Sequence, residues 1–275
     1  MLDSSTNSHS DYACRSTAAA TVQRERVDTV KNKLLRLIPQ RERSQLLSLA
    51  ERVRIQPRQV LHHWKLPMEY VYFIEHGLVS VAAKVERDRF VEVWLIGSEG
   101  MVGAPIILAD QVEPMHRRIV QVGGSAWRLG VCEFRAALKE LPQLRAALCR
   151  YLGVVIMQTS QSGACNSTHQ VKHRLARWLL LAQSALDDRE IPLTHDVLSQ
   201  LLGVRRASVT ETLDQLQGEG RITTKRGAIV VSDVASLEKA CCLCFRLISR
   251  EYDRQLSCQP VPTAIEEQLC NPLPA

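Results

Sequence analysis

Long apolar runs are absent from this sequence. None of its hydrophobic stretches approaches the ~20 residues that a membrane-spanning helix requires. Residues Met1 to Thr21 are polar and rich in serine, so they lack the charged start and the apolar block of a secretory signal. We therefore expect a cytoplasmic protein that has no membrane partner.

Common metal-binding and catalytic spacings are also missing. The eight histidines are scattered and form neither an HxH nor an HExxH pattern. His62 and His63 fall on a predicted strand, where neighbouring side chains point to opposite faces, so this pair cannot chelate one ion. The sequence therefore predicts that the protein is not an enzyme. The alternative is a cupin-like metal enzyme, which would need His and Glu side chains that converge inside a barrel.

Cysteine, in contrast, is abundant. The chain has nine cysteines, which raises the question of a metal or iron–sulfur site. Cys241, Cys242 and Cys244 form the one tight cluster of cysteines in the sequence. Residues Leu237 to Leu256 have a helical pattern, and on a helix Cys242 would point away from the other two. Three thiolates could not reach one ion unless the helix unwound. We therefore predict packing cysteines, with no metal and no cofactor.

The chain has 275 residues, of which 45% are hydrophobic, so it is long enough to bury two cores. Residues 1–28 lack apolar periodicity and are predicted to be a flexible leader, and residues 257–275 a flexible tail. Residues Val30 to Val53 have a helical pattern interrupted by Pro39, which predicts short helices that lie against the following domain.

Residues 29–140 are predicted to form an antiparallel β-barrel or roll. Their short segments are rich in β-branched and aromatic residues, and glycines such as Gly77 and the pair Gly123-Gly124 separate them. The predicted strands are Tyr70 to Ile74, Leu78 to Ala83, Phe90 to Ile96 and Arg118 to Val122. Short strands at this spacing favour a small closed sheet.

Residues 141–168 are predicted to be a long helix that starts at Pro142 and reaches Asn166. Six of its residues recur at intervals of three and four, the spacing of a helix seam: Leu144, Leu148, Tyr151, Leu152, Val155 and Thr159. Two interpretations fit this spacing, namely a helix packed on its own barrel and a dimer seam. We favour the dimer seam, because a DNA-reading module gains affinity by pairing.

Residues 169–256 have the pattern of a winged DNA-binding module. Thr194 is a suitable N-cap for a first helix that ends at Leu202, and Gly203 allows the sharp turn that follows. A second helix would bury Val209, Leu213 and Leu216 and turn its opposite face outwards, where it could enter a major groove. Two short strands follow, joined by Lys225-Arg226-Gly227, whose cations suit a phosphate contact.

The candidate DNA-binding residues lie on this outward face, at its N-terminal end and at the hairpin tip. They are Thr194, Arg205, Arg206, Ala207, Ser208, Thr210, Glu211, Asp214, Lys225 and Arg226. Arg206 is the best candidate for reading a base, because a guanidinium can pair bidentately with guanine. Charge supports DNA binding only weakly, since the net charge is +6 while residues 171–232 carry nine Lys/Arg against seven Asp/Glu.

Five segments carry a resemblance to a known family. They are Tyr72 to Val81, Gly97 to Gly103, Arg174 to Leu179, Leu193 to Asp196 and Leu201 to Thr210. With these segments the chain resembles the Crp/Fnr transcription regulators over most of its length. The resemblance implies an α+β protein with an N-terminal cyclic-nucleotide-binding-like roll, a long dimer helix and a C-terminal winged helix-turn-helix. It also implies double-stranded DNA and a second copy of the chain as partners, with RNA polymerase as a further candidate.

The same resemblance identifies a candidate effector pocket formed by Gly103, Ala104, Arg117 and Arg118. Nucleotide-binding members carry Glu where this chain has Ala104, so the acceptor for the ribose hydroxyl is missing and we expect no cyclic-AMP receptor. Another small molecule, haem or a cyclic nucleotide remains the alternative signal. Iron–sulfur members cluster cysteines before the barrel, where this chain has only Cys14. The resemblance therefore does not favour an iron–sulfur sensor.

Overall fold

The computed structural model describes residues 30–86, 89–108 and 113–256. The predicted leader (1–28) and tail (257–275) lie outside these residues, as do Cys14, Cys258 and Cys270. No helix in the described ranges is long and apolar enough to cross a membrane.

Two short helices precede the sheet, α1 (Lys33–Leu37) and α2 (Gln40–Ser48). The buried side chain of Asn32 caps α1, because its Oδ1 accepts the Leu35 N–H at 3.0 Å. Its amide nitrogen donates to the carbonyls of Ile74 and Gly100 at 2.8 and 2.9 Å, which attaches α1 to the sheet. The predicted helical pattern from Val30 to Val53 runs too far, since Glu51–Ile55 forms the first strand.

The N-terminal sheet has six antiparallel strands. They are β1 (Glu51–Ile55), β2 (Val60–His62), β3 (Tyr70–Lys84), β4 (Phe90–Ile96), β5 (Met101–Val102) and β6 (His116–Gly130). The strand order is β1-β6-β3-β4, with β2 paired to β6 and β5 paired to β3. The fold class is therefore confirmed as mixed helix and antiparallel sheet, but the sheet is an open roll rather than a closed barrel.

Glycines predicted to end strands lie inside β3 and β6. A Cβ on Gly124 would lie 2.1 Å from the His76 carbonyl oxygen, and one on Gly77, whose φ is +102°, would lie 2.6 Å from the Val122 oxygen. The two strands thus approach each other too closely for side chains here, and their register shifts at the same place. Glycine permits a bend without interrupting the strands.

Two helices follow the sheet, α3 (Val131–Glu140) and α4 (Pro142–Thr168). The predicted dimer-seam residues of α4 face the chain's own sheet: Leu144, Leu148, Tyr151, Leu152 and Val155 are buried in its core, and Thr159 is half-buried. Tyr151 also accepts the Met101 N–H at 3.2 Å. Packing on the sheet, which is the alternative interpretation of this spacing, therefore buries the apolar stripe within one chain, and the dimer seam stays a prediction.

The C-terminal part consists of helices α5 (Val171–Leu186), α6 (His195–Leu202), α7 (Arg206–Gly218) and α8 (Val234–Ala240) with a small sheet of β7 (Glu190–Ile191), β8 (Ile222–Lys225) and β9 (Ala228–Val231). Leu175, Trp178, Leu179 and Ala182 of α5 are buried in its core. Sheet residues Leu78 and Leu95 join the same core, so the two halves pack together.

The last helix, α9 (Leu243–Leu256), returns to the first half. The Tyr252 hydroxyl donates to Gln158 Oε1 of α4 at 2.6 Å, and Tyr252 and Leu256 pack against the N-terminal core. The predicted continuous helix from Leu237 to Leu256 is therefore two helices, with a break at Cys241 and Cys242. The predicted DNA-binding module, residues 169–256, therefore ends in helix α9, which packs on the N-terminal half of the chain.

Candidate nucleic-acid interface

Helix α6 and the turn after it have the local determinants that the sequence predicts. Thr194 Oγ1 accepts the Val197 N–H at 3.3 Å, which caps α6. Gly203 then has φ +64° and ends the helix in the left-handed conformation. The His195 ring and the Thr210 hydroxyl are 3.1 Å apart, so α6 is also attached to α7 by a side-chain hydrogen bond.

Helix α7 presents one face to solvent. Val209, Leu213 and Leu216 are fully buried, whereas the opposite face forms an open surface lined by Arg206, Ala207, Thr210, Glu211, Asp214 and Gln215. Arg205 precedes the helix without a side-chain cap, and it and Arg206 are exposed at the N-terminal end. Ser208 is half-buried. Sequence reasoning missed Gln215, which lies one residue after Asp214 and shares its face.

The hairpin of β8 and β9 forms a wing beside α7. Thr224 donates its backbone N–H to Gln217 Oε1 at 2.7 Å, which fixes the wing to the end of α7. Lys225 forms an ion pair with Glu190 at 2.7 Å, so one of the two predicted phosphate contacts already has an anionic partner. Arg226 is exposed at the tip, and Gly227 turns the chain with φ +78°.

The predicted effector residues do not all meet. Gly103 has φ +107°, and a Cβ there would lie 2.8 Å from a Val71 methyl and 3.4 Å from the His62 ring. Ala104 is fully buried, and its methyl side chain supplies no carboxylate at that position. Arg117 lies elsewhere, stacked on Phe90 at 4.1 Å in a cleft beside the α6–α7 turn.

Arg118 lies next to His62, its partner in strand register. It is 2% exposed, and in the described residues its one hydrogen bond is to the His116 carbonyl at 3.0 Å. Burial lowers the pKa of Arg118 to about 10, and burial together with the Arg118 charge lowers the pKa of His62 to about 4. Near neutral pH a guanidinium therefore remains charged inside the roll beside a neutral imidazole that donates to the Tyr70 oxygen at 2.7 Å.

A second group of polar side chains lies at the end of α4. The described residues contain one cluster of side chains able to hold a metal ion, namely Cys165, His169, Cys242 and Cys244. The expectation that the cysteine cluster would stay on one helix is wrong, because the chain unwinds between α8 and α9. Sequence reasoning did not connect Cys165 and His169 with that cluster, although their i, i+4 spacing is a recognisable signal. This cluster lies among helices and not inside the roll.

Parts of this chain are similar in sequence to known proteins. The model of the Crp-like helix-turn-helix domain matches residues 173–240. The global nitrogen regulator of Nostoc sp. (strain PCC 7120) is 22% identical over 183 residues, which are 63% of this chain and 81% of that protein.

Solved structures agree in fold. FixK2 from Bradyrhizobium japonicum superposes with a TM-score of 0.60 at 16% identity, over 70% of this chain and 98% of that one. A structure from Eubacterium rectale assigned to the Crp/Fnr family of transcriptional regulators gives 0.58 at 14% identity, over 75% and 96% of the two chains. Residues 173–240 thus form a Crp-like helix-turn-helix domain, and the chain is similar in fold to these structures.

Proposed function

We propose that the protein is a transcription regulator that binds a specific, two-fold symmetric DNA site as a homodimer. The observation that carries this proposal is the open face of α7 beside the wing. This face combines an arginine suited to guanine with polar side chains that can contact other base edges. The regulators to which the chain is related bind DNA. We place the proposed role in the cytoplasm. If the protein activates transcription, RNA polymerase is its proposed partner.

The proposed dimer uses the outward face of α4. The residues exposed along this face are mostly small: Ala146, Cys149, Gly153, Ser160 and Gly163. Ile156 stands among them with 61% of its surface exposed, and nothing lies within 4 Å of a Cβ built on Gly153 or Gly163. An exposed isoleucine flanked by small residues favours close approach of a second helix, because their apolar surface is then removed from water. This face replaces the buried seam that the sequence suggested.

The proposed sensor is not a cyclic-AMP receptor. Ala104 offers no acceptor for a ribose hydroxyl, and Arg117 lies away from Gly103. Arg118 keeps one feature of an anion site, because it is a buried cation whose Nε has no partner in the described part of the chain. A small anion is therefore the class of effector that this region favours.

Selection of bound sequences from a random DNA pool tests the proposal directly. We expect one palindromic consensus, with half-sites centred about one helical turn, ~34 Å, apart. The same selection with Arg206→Ala should lose preference at one base position of each half-site. Recovery of unrelated sequences by the wild-type protein would contradict the proposed function.

A further inference from the structure

Cys165, His169, Cys242 and Cys244 meet at the junction of the two halves of the molecule. Cys165 lies in the last turn of α4, and His169 follows that helix directly. Cys242 lies in the break between α8 and α9, and Cys244 near the start of α9. Cys165 and Cys244 are 1% and 3% exposed. The cluster thus joins two segments that are 77 residues apart in sequence.

In two pairs, the ligand atoms of this cluster have the spacing of a tetrahedral site. All four lie within 4.8 Å of one another, with 3.5 Å between the sulfur atoms of Cys165 and Cys242 and 3.7 Å between Cys244 Sγ and His169 Nδ1. A tetrahedral zinc ion with bonds of about 2.3 Å to sulfur and 2.0 Å to nitrogen separates its ligand atoms by about 3.5–3.8 Å. An iron–sulfur cluster would hold its thiolates farther apart, because several atoms lie between them. The cluster therefore fits one ion.

We propose that Cys165, His169, Cys242 and Cys244 bind a single Zn²⁺ ion. Three thiolates and one imidazole in tetrahedral arrangement are a donor set that zinc prefers. Binding would replace three thiol protons, which pass to solvent, and it involves no change of oxidation state. This site does not depend on the proposed DNA-binding function.

The charges around the cluster support an anionic metal complex. Zn²⁺ with three thiolates and a neutral imidazole carries one net negative charge. Arg177 is 5% exposed beside the cluster and donates to Ser162 Oγ at 2.7 Å and to Asn166 Oδ1 at 3.3 Å. No carboxylate in the described ranges forms an ion pair with it, and burial raises the pKa of nearby Glu92 to about 8, so that group is protonated at neutral pH. The complex would neutralise a buried cation.

Hydrogen bonding around the sulfur atoms points the same way. Gln161 Nε2 donates to Cys244 Sγ at 3.2 Å, which is a contact that stabilises a thiolate ligand. The match to the Crp-like domain ends at residue 240, directly before the cysteines of the α8–α9 break. The ion would therefore fasten α9, which lies beyond that domain, to the α4–α5 junction.

Metal analysis of the purified full-length chain tests the proposal. We expect about one zinc ion per chain, and a visible cobalt spectrum typical of tetrahedral thiolate ligation after replacement of zinc by Co²⁺. Cys165→Ser, Cys242→Ser and Cys244→Ser should each lower zinc affinity by at least ~10-fold. Cys132→Ser is the matched control, because Cys132 is exposed on α3 away from the cluster, and it should keep the ion.

A second variant keeps the test decisive if the serine variants fail to fold. His169→Cys retains four ligands, so it should bind cobalt with a thiolate-to-metal absorption increased by about a third. Reduced wild-type protein that takes up no zinc in competition with a chelating dye would overturn the proposal. So would a Cys165–Cys242 disulfide in the protein as isolated, or loss of zinc from Cys241→Ser but not from Cys242→Ser.

Discussion

Trp178 donates its indole N–H to Glu92 Oε1 at 2.7 Å and so joins α5 to strand β4 of the roll. The other carboxyl oxygen of Glu92 is buried and has no partner in the described residues. Burial raises the pKa of Glu92 to about 8, although the hydrogen bond from Trp178 and the charge of Arg177 oppose this rise. The contact between the halves is therefore made by a carboxyl group that is protonated at neutral pH.

This contact predicts that stability falls as pH rises. The pKa of Glu92 is about 8 in the folded chain and 4.5 for an exposed glutamate. Protonation therefore stabilises the folded state fully below pH 4.5, and this stabilisation is lost as pH rises to about 8. Urea unfolding should show that Glu92→Gln, which keeps the acceptor for Trp178, removes roughly 2–4 kcal/mol of this pH dependence. Equal slopes for the two proteins between pH 5 and 8 would contradict the prediction.

The lowered pKa of His62 predicts the opposite pH dependence of folding stability at lower pH. Its pKa is lowered from 6.5 to about 4, so the unfolded chain takes up a proton that the folded chain does not, and stability falls as pH drops from 6.5 to 4. Unfolding titrations should show that His62→Gln, which can still donate to the Tyr70 oxygen, removes roughly 2–3 kcal/mol of this loss. His63→Gln is the control, because His63 is exposed and should leave the slope unchanged.

Substitutions at the interface should separate base reading from phosphate contact. Arg206→Ala should weaken specific binding by roughly 1–3 kcal/mol, and Arg226→Ala should weaken all sequences alike and lower the salt slope by about 1. Lys225→Ala should lower that slope less, because Lys225 is already paired with Glu190. Titrations on matched and mismatched duplexes at several salt concentrations measure both effects. Arg246→Ala, which removes an exposed cation from α9, is the control.

The two faces of α4 should respond differently to charge. Ile156→Glu should give a folded monomer, because Ile156 is exposed and a glutamate there disfavours a second helix. Leu148→Glu should instead unfold the chain, because Leu148 is fully buried in its own core. Light scattering and circular dichroism distinguish the two results. A folded monomer from Leu148→Glu, or an unchanged dimer from Ile156→Glu, would contradict this prediction and support the dimer seam that the sequence spacing suggested.

Cyclic AMP should bind weakly. A buried ribose hydroxyl without an acceptor costs about 1–3 kcal/mol, enough to weaken a micromolar ligand to near-millimolar at the upper end. Calorimetry with cyclic AMP, paired with DNA titrations with and without it, measures this. A dissociation constant of a few micromolar together with nucleotide-dependent DNA binding would show that Arg118 and the backbone suffice.

The sequence alone determined the helix-turn-helix, because its determinants are local. Thr194 caps α6 by accepting the N–H three residues further along the chain, Gly203 supplies the turn, and the spacing of Val209 and Leu213 decides which side of α7 is buried. Each of these acts within about one or two helical turns, so residue type and spacing carry the information.

Tertiary structure decided what depends on distant partners. Spacing along α4 shows an apolar stripe but not whether a sheet or a second chain covers it, and only packing assigned Leu148 to the core. Packing also separated Arg117, half-buried in the cleft beside Phe90, from Arg118, inside the roll. Cys165 and Cys242 meet only because α9 folds back along α4, and no local pattern encodes a contact across 77 residues.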